Sequence, residues 1–312
     1  MQRRVGARGA LALAIVATSA GVAAAHGIVG QRSFIEPFVT EDVNPKNEFV
    51  IARPEYDWAA EDKVFHYGFG LEKKLSDDLS LTLDSEWLDL SSRGAEEPGV
   101  PEEAEEGGQA DASGFGNLGV TAKYSFLRSE PHEAIMSFAV EAEIPTGSQD
   151  VGAERFVALR PFFLYGKGFG DLPDGLEWLR PFAVQGDFGP EVSTDHETTT
   201  AFVHDIALEY SIPYLQSSVK DIGLRWPLAN LIPVVEFNFE HGLKGEESGT
   251  MSAIVTPGMV YMDGWVEFGV AGRFALNDTA REEVDPGIIF VVDLFIDDIF
   301  PWTRWQPFGG SS

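Results

Sequence analysis

The chain has 312 residues, with 50 Asp and Glu against 22 Lys and Arg and a formal net charge of −28. That balance excludes nucleic acid as a partner, because holding phosphates needs clustered Lys and Arg. Cysteine is absent, which removes disulfide frameworks and thiolate metal centres, and the length allows one large all-β domain or two smaller ones.

Arg3, Arg4 and Arg8 precede an apolar run from Ala10 to Ala25 that ends in Ala23-Ala24-Ala25. This order predicts a secretory signal peptide over 1–25, cleaved after Ala25 to leave His26 first. The run is too short and too rich in alanine for a spanning helix, which needs roughly 20 strongly apolar residues. Cleavage removes three arginines and no acid, moving the charge from −28 to −31. No later stretch approaches 18 continuous apolar residues, so no helical span is expected. Residues 26–47 are expected to form a plug or a periplasmic strap.

From residue 48 onward, apolar and polar residues alternate in segments about ten residues long, the length a tilted strand needs to cross an outer membrane. Leu79, Leu81, Leu83 and Trp87 alternate with Ser80, Thr82, Asp84 and Glu86. Leu118, Val120, Ala122, Tyr124 and Phe126 are separated by Gly119, Thr121, Lys123 and Ser125. Met136, Phe138, Val140, Ala142 and Ile144 oppose Ser137, Ala139, Glu141 and Glu143. Val266, Phe268, Val270 and Phe274 oppose Glu267, Gly269, Ala271 and Arg273. Twelve segments qualify as strands: 48–58, 63–75, 79–90, 116–127, 134–144, 155–168, 179–189, 200–212, 233–240, 251–262, 264–276 and 287–296. An even count suits a closed barrel with both termini on one side. The predicted fold is all-β, an antiparallel up-and-down transmembrane β-barrel of about twelve strands over 48–308, with a short tail at 309–312.

Ser76-Asp77-Asp78 and Asp263-Gly264 read as tight periplasmic turns. Longer links at 91–113, 146–154, 190–199, 242–250 and 278–286 fall on the external side. The first is an acidic loop carrying Glu96, Glu97, Glu102, Glu103, Glu105, Glu106 and Asp111. It is expected to be solvated, with cation-bridged contact to lipopolysaccharide as the functional alternative. The link from Pro213 to Ile232 is too long for a periplasmic turn, so it either docks at the barrel mouth or hides strands. Pro161, Pro181 and Pro257 lie inside predicted strands and demand bulges or strand ends. Gly166-Lys167-Gly168-Phe169-Gly170 reads as a turn.

A lysine or arginine at mid-bilayer on the lipid face costs about 2–4 kcal/mol. Lys123 and Arg273 therefore face inward and the apolar rows outward. Tyr124, Phe126, Trp178, Trp265 and Trp302 near predicted strand ends suit interfacial girdles. The expected lumen lining is Lys123, Glu141, Glu143, Arg160, Asp187, Glu236, Glu267 and Arg273, joined by Glu209 and Glu240. Strand 155–168 also puts Phe156, Ala158 and Phe162 inward. Two readings of the inner charges stay open: a structural salt-bridge ladder, or a carboxylate filter favouring cationic or neutral solutes.

The run Gly114-Phe115-Gly116-Asn117-Leu118, then Lys123-Tyr124 and Ile144-Pro145-Thr146-Gly147, resembles the "G-x-G-D-l … K-Y … l-P-T-G" pattern of the outer-membrane proteins of the MetA pathway of phenol degradation. Pro257-Gly258-Met259-Val260-Tyr261 and the segment from Leu294 to Pro301 resemble that family's final strands. Asn117 stands where the family has Asp, and the chain ends in Gly309-Gly310-Ser311-Ser312 where many barrels close on an aromatic, Phe308 lying slightly inside. The resemblance implies a Gram-negative outer-membrane barrel that moves aromatic or other apolar compounds.

No nucleophile elbow, P-loop or dinucleotide fingerprint occurs, so neither a cofactor nor an enzymatic activity is expected. A hydrolase would have to be built from His204 and neighbouring hydroxyls. His26 is a candidate copper ligand through amine and imidazole, whereas His66, His132, His196, His204 and His241 are scattered singly. The expected function is an outer-membrane channel or facilitator passively admitting small, hydrophobic or aromatic molecules. Its expected partners are outer-membrane lipid, lipopolysaccharide, the solute itself and the barrel-assembly machinery during insertion. The alternatives are a soluble periplasmic β-sandwich binding module, or an outer-membrane protein with a structural or copper-related role.

Overall fold

The computed structural model describes residues 28–57, 62–92, 112–194, 200–245 and 248–309. The predicted signal peptide, His26, His196, most of the acidic loop and the last three residues lie outside the described residues. A small hairpin pairs β1 (Ile28–Val29) with β2 (Arg32–Ser33). There follow β3 (Glu48–Asp57), β4 (Asp62–Lys74), β5 (Leu79–Ser92), β6 (Ala112–Phe115), β7 (Leu118–Ser129), β8 (Ala134–Ile144), β9 (Ala158–Gly168) and β10 (Phe182–Ser193). The chain then forms β11 (Thr200–Tyr210), β12 (Leu231–Lys244), β13 (Met251–Asp263), β14 (Val266–Ala275) and β15 (Gly287–Phe295).

Neighbouring strands pair antiparallel around the ring, and β15 returns to β3, so the sheet closes without an edge. β6 and β7 both pair with β5 and are separated by Gly116 and Asn117, so they form one interrupted stave of a twelve-stave barrel. Apart from the short β6, the barrel strands run from 9 to 14 residues, long enough to cross a hydrocarbon layer when tilted. Among the described residues, no helix is long and apolar enough to cross a membrane.

The period-two rows sort as the strand pleat requires. Leu83, Phe163 and Phe268 are 44%, 43% and 44% exposed on the outside, and Met136, Val140 and Leu208 share that face. Ser137 on β8, Gln185 on β10 and Glu236 on β12 are fully buried inside. Trp178, Trp226, Trp265, Trp302 and Trp305 stand exposed at the end where the chain makes its short turns, called here the turn end. At the opposite, loop end, Trp87 packs edge-on against Phe115 at 4.9 Å.

Several boundaries differ from the sequence reading. The strand expected at 155–168 begins at Ala158, leaving Phe156 in the preceding loop, while Ala158 and Phe162 do point inward and are buried. Gly166 to Gly168 belong to β9, so the turn starts only at Phe169; the sheet ladder with β10 outweighs the local glycine signal. The last strand ends at Phe295, and residues 296–308 form short helical turns against the turn end rather than more barrel. The long link after β11 hides no strand: it holds α1 (Ile212–Tyr214), a wide helical turn at Leu215–Val219 and a 3-10 turn at Leu228–Asn230.

The prolines sit where the ladder is open. Pro161 pairs with Val140 of β8, but the β9–β10 register steps from Phe163↔Phe188 to Leu159↔Val192, leaving Pro161 and Pro190 at the gap. Pro257 pairs with Val235, while β13 and β14 skip from Val255↔Phe274 to Gly258↔Ala271. Pro181 lies just before β10. Each proline thus avoids a position that would require its missing N–H.

Candidate functional site

Eight staves make a barrel whose side chains nearly fill it, whereas a wider one leaves room. Here residues 28–47 occupy the turn-end half of that room. Phe34, Ile35, Phe38, Val43, Asn44 and Lys46 are all buried, at 0–1% exposure. This inner segment has no sheet partner beyond its own hairpin, so its backbone N–H groups need acceptors from the wall. Carboxylates supply them. Glu236 accepts from Phe38, Val39 and Thr40 at 2.6, 3.0 and 2.9 Å. Glu267 accepts from Glu36 at 2.9 Å, Asp187 from Glu41 at 3.0 Å and Glu72 from Lys46 at 2.9 Å. Phe38 fits a notch on the inner wall, since a Cβ at Gly258 or Gly269 would come within 2.6 or 2.7 Å of its ring.

Two charged clusters fix the ends of the segment. At the start, Arg32 is fully buried and donates to the carbonyls of Pro181 and Arg180 at 2.9 and 2.6 Å. Its guanidinium also lies 3.4 Å from Glu133 and 4.0 Å above the Tyr214 ring. Tyr214 donates to Glu133 at 2.7 Å, and burial together with that bond pushes its phenol up to about 12. Glu133 holds a left-handed backbone (φ 47°), which a non-glycine residue adopts at a cost. Nearby on the turn-end surface, Asp171 is held below its usual range by hydrogen bonds from His132 and Lys167.

Near the end of the segment, Lys46 places its ammonium 2.7, 3.5 and 3.7 Å from Asp42, Glu48 and Glu36. Among the described residues, these three carboxylates form the one group close enough together to share a metal ion. A lysine of the chain already neutralises it.

Above the inner segment, the loop-end half opens into a vestibule of about 340 Å³. Among the described residues nine carboxylates line it, including Glu41, Glu72, Asp84, Glu86, Glu141 and Glu143, with Lys123 as the cation of that lining. Lys123 is itself engaged, donating to the carbonyls of Asp42 and Asn44 and to Glu72 at 2.8, 3.2 and 3.1 Å. The vestibule is therefore an acidic bowl floored by the inner segment.

Each residue expected to line the lumen points into the barrel, but the surroundings differ. Glu141 and Glu143 face the vestibule, and Glu143 accepts from Asn117 at 2.9 Å. Arg160 bridges the wall, 2.5 Å from Asp187, 3.7 Å from Asp205 and 3.9 Å from Glu141. Asp187, Glu236, Glu267 and Glu209 are buried beneath the inner segment. Glu240 and Arg273 lie toward the loop end, exposed and half-buried. The sequence reading missed Arg32, Glu72, Glu133 and Tyr214, whose partners lie far off along the chain, and Lys46, whose carboxylate partners are close in sequence but lie in or next to a segment without strand periodicity. The available signal was the surplus of inward carboxylates over inward cations, which need donors from somewhere. His204 is on the outer face, stacked 4.6 Å from Phe239 and 5.3 Å from His241, so it cannot serve a hydrolytic site in the lumen.

A closed antiparallel ring with an apolar outside, aromatic ends and a polar inside is a transmembrane β-barrel of the outer-membrane type. One solved structure supports the architecture. The chain is similar to an outer membrane channel from Pseudomonas putida F1, with a TM-score of 0.54 and 11% identity over 84% of this chain and 99% of that one. The KdgM porin follows at a TM-score of 0.46 and 11% identity over 79% of this chain and 98% of that one. No family model matches the chain, and no curated protein does. At such identities the likeness is one of fold.

Proposed function

We propose that the protein is a passive channel of the outer membrane, with its turn end in the periplasm and its loop end outside. Residues 28–47 act as a plug that narrows the turn-end half, and solutes enter through the vestibule. The observation that carries this reading is the acidic, open bowl in a barrel too wide for its own side chains to fill. Carboxylates concentrate cations at a constriction and repel anions, so small cationic or neutral polar solutes are the favoured permeants. Among the aromatic compounds implied by the MetA-pathway resemblance, those bearing an amine or hydroxyl suit this lining better than hydrocarbons. Lipid and lipopolysaccharide around the apolar belt, and the assembly machinery that inserts such barrels, complete its partners.

The test is planar-bilayer recording of the purified, refolded protein across a KCl gradient. Stepwise openings with a reversal potential displaced toward the potassium equilibrium value are expected. A silent barrel, or an anion-selective current, would overturn the proposal.

A further inference from the structure

We infer that the outer wall at the turn end carries a binding site for one phospholipid, its acyl chain in a groove beside Leu71 and its phosphate on Lys73. The inference rests on the orientation proposed above, which puts the turn end in the periplasmic leaflet.

The groove is built by chain that belongs to no strand. After β15 the backbone follows the barrel rim, with Ile296 donating to the carbonyl of Asn47 at 3.0 Å and Phe308 to that of Leu75 at 2.8 Å. Gln306 adds a bond to Asp77 at 3.2 Å. Residues 296–308 thus pass β3 and reach the β4–β5 turn, and they leave an opening of about 300 Å³ against the wall. Leu71, Ile296, Trp302 and Trp305 line it, and the surface presented there is almost wholly apolar.

The place of the groove on the barrel decides what fills it. Side chains alternate along β4, so Leu71 shares the outward row of Phe65, and both are exposed to lipid. The groove is therefore continuous with the apolar belt. Lys73 comes next in the same row, one residue before the strand ends at Lys74. A lysine is tolerated on the lipid face near the interface, where its stem lies on apolar surface and its head reaches the headgroups.

The ammonium is positioned but not neutralised. It donates to Asn47 Oδ1 at 2.7 Å and to the carbonyl of Thr303 at 2.6 Å, and it makes no ion pair among the described residues. Asn47 is fixed in turn by donating to Asp297 at 3.2 Å. Two neutral acceptors orient the head and leave its third hydrogen for an anion. An unpaired cation at headgroup depth beside an apolar groove matches a phosphate that carries an acyl chain, since a hydrogen bond between ionised partners is about twice as strong as a neutral one.

The experiment is native mass spectrometry of the full detergent-purified protein titrated with dioleoyl phosphatidylglycerol, and with dioleoylglycerol as its phosphate-free counterpart. Saturable retention of one phospholipid per barrel is expected. Lys73→Met keeps the stem and removes the charged donor, so it should weaken retention about tenfold, the worth of one hydrogen bond to a charged group. Leu71→Trp fills the groove with an apolar side chain and should abolish saturable retention. Leu208→Trp, on the outward face of β11, should leave it unchanged. Heat-modifiable gel mobility selects folded barrels for the comparison. Retention that never saturates, equal retention of dioleoylglycerol, equal retention by Lys73→Met or Leu71→Trp, or displacement by lower concentrations of lipid A would each overturn the site. Bilayer recording separates the two claims. A silent barrel that retains one phospholipid supports the site while refuting the channel, and a conducting barrel that retains none refutes the site alone.

Discussion

Replacing Glu236 with glutamine tests whether wall carboxylates hold the inner segment in place. The carboxylate accepts from three consecutive amides, Phe38, Val39 and Thr40, within the barrel interior. A carboxamide accepts through one of its two heteroatoms and presents an NH₂ group at the other, so at least one amide loses its acceptor. A hydrogen bond to a charged partner is worth about 1.5–3 kcal/mol, and an orphaned buried donor costs about 1–3 kcal/mol. Local opening of residues 34–47 should therefore become easier by roughly 3 kcal/mol, about two orders of magnitude in amide protection. The barrel ladders contain none of these three bonds, so the opening should stay local. Hydrogen–deuterium exchange with mass spectrometry on peptides covering 34–47 reads the change, and heat-modifiable gel mobility reports the barrel. Protection within threefold of the parent protein, or a parallel loss of protection across β7 to β13, would refute the reasoning.

Gly258→Ala should overpack the notch that seats Phe38, costing about 1–3 kcal/mol and lowering the thermal midpoint of refolded protein. An unchanged midpoint would mean that Phe38 is loosely held. Glu133→Gly relieves a left-handed backbone but removes the partner of Arg32 and Tyr214, so it should expose residues 28–33 to limited proteolysis while Glu133→Ala does the same at lower barrel stability. Tyr214 titrates near 12 in the folded protein and near 10 when unfolded, so its stabilisation is complete below pH 10 and disappears as pH rises from 10 to 12. The stability gap between the parent and Tyr214→Phe should close over that interval; a constant gap would show that the phenol does not titrate there. Trp302 and Trp305 border an outer groove of about 300 Å³ with Leu71 and Ile296, so lipids brominated near the headgroup should quench their fluorescence more than lipids brominated at the chain end.

The strand number and the inside–outside sorting were legible in the chain because they follow from a local rule. Side chains alternate across a strand with a period of two, so Lys123 and Glu141 were committed to the interior as soon as Tyr124 and Val140 were committed to lipid. The same rule does not extend to residues 34–47, which lie in no ladder. Their position depends on acceptors contributed by Glu72, Asp187, Glu236 and Glu267, up to 231 residues away, which come together only after the ring has closed. Exact strand starts also escaped, as in the strand expected from residue 155, which begins only at Ala158. Sequence periodicity thus determined which side chains face the enclosed space. Tertiary structure decided which of them bind the inner segment and which line the acidic vestibule, since hydrogen bonding across a barrel depends on distance in space.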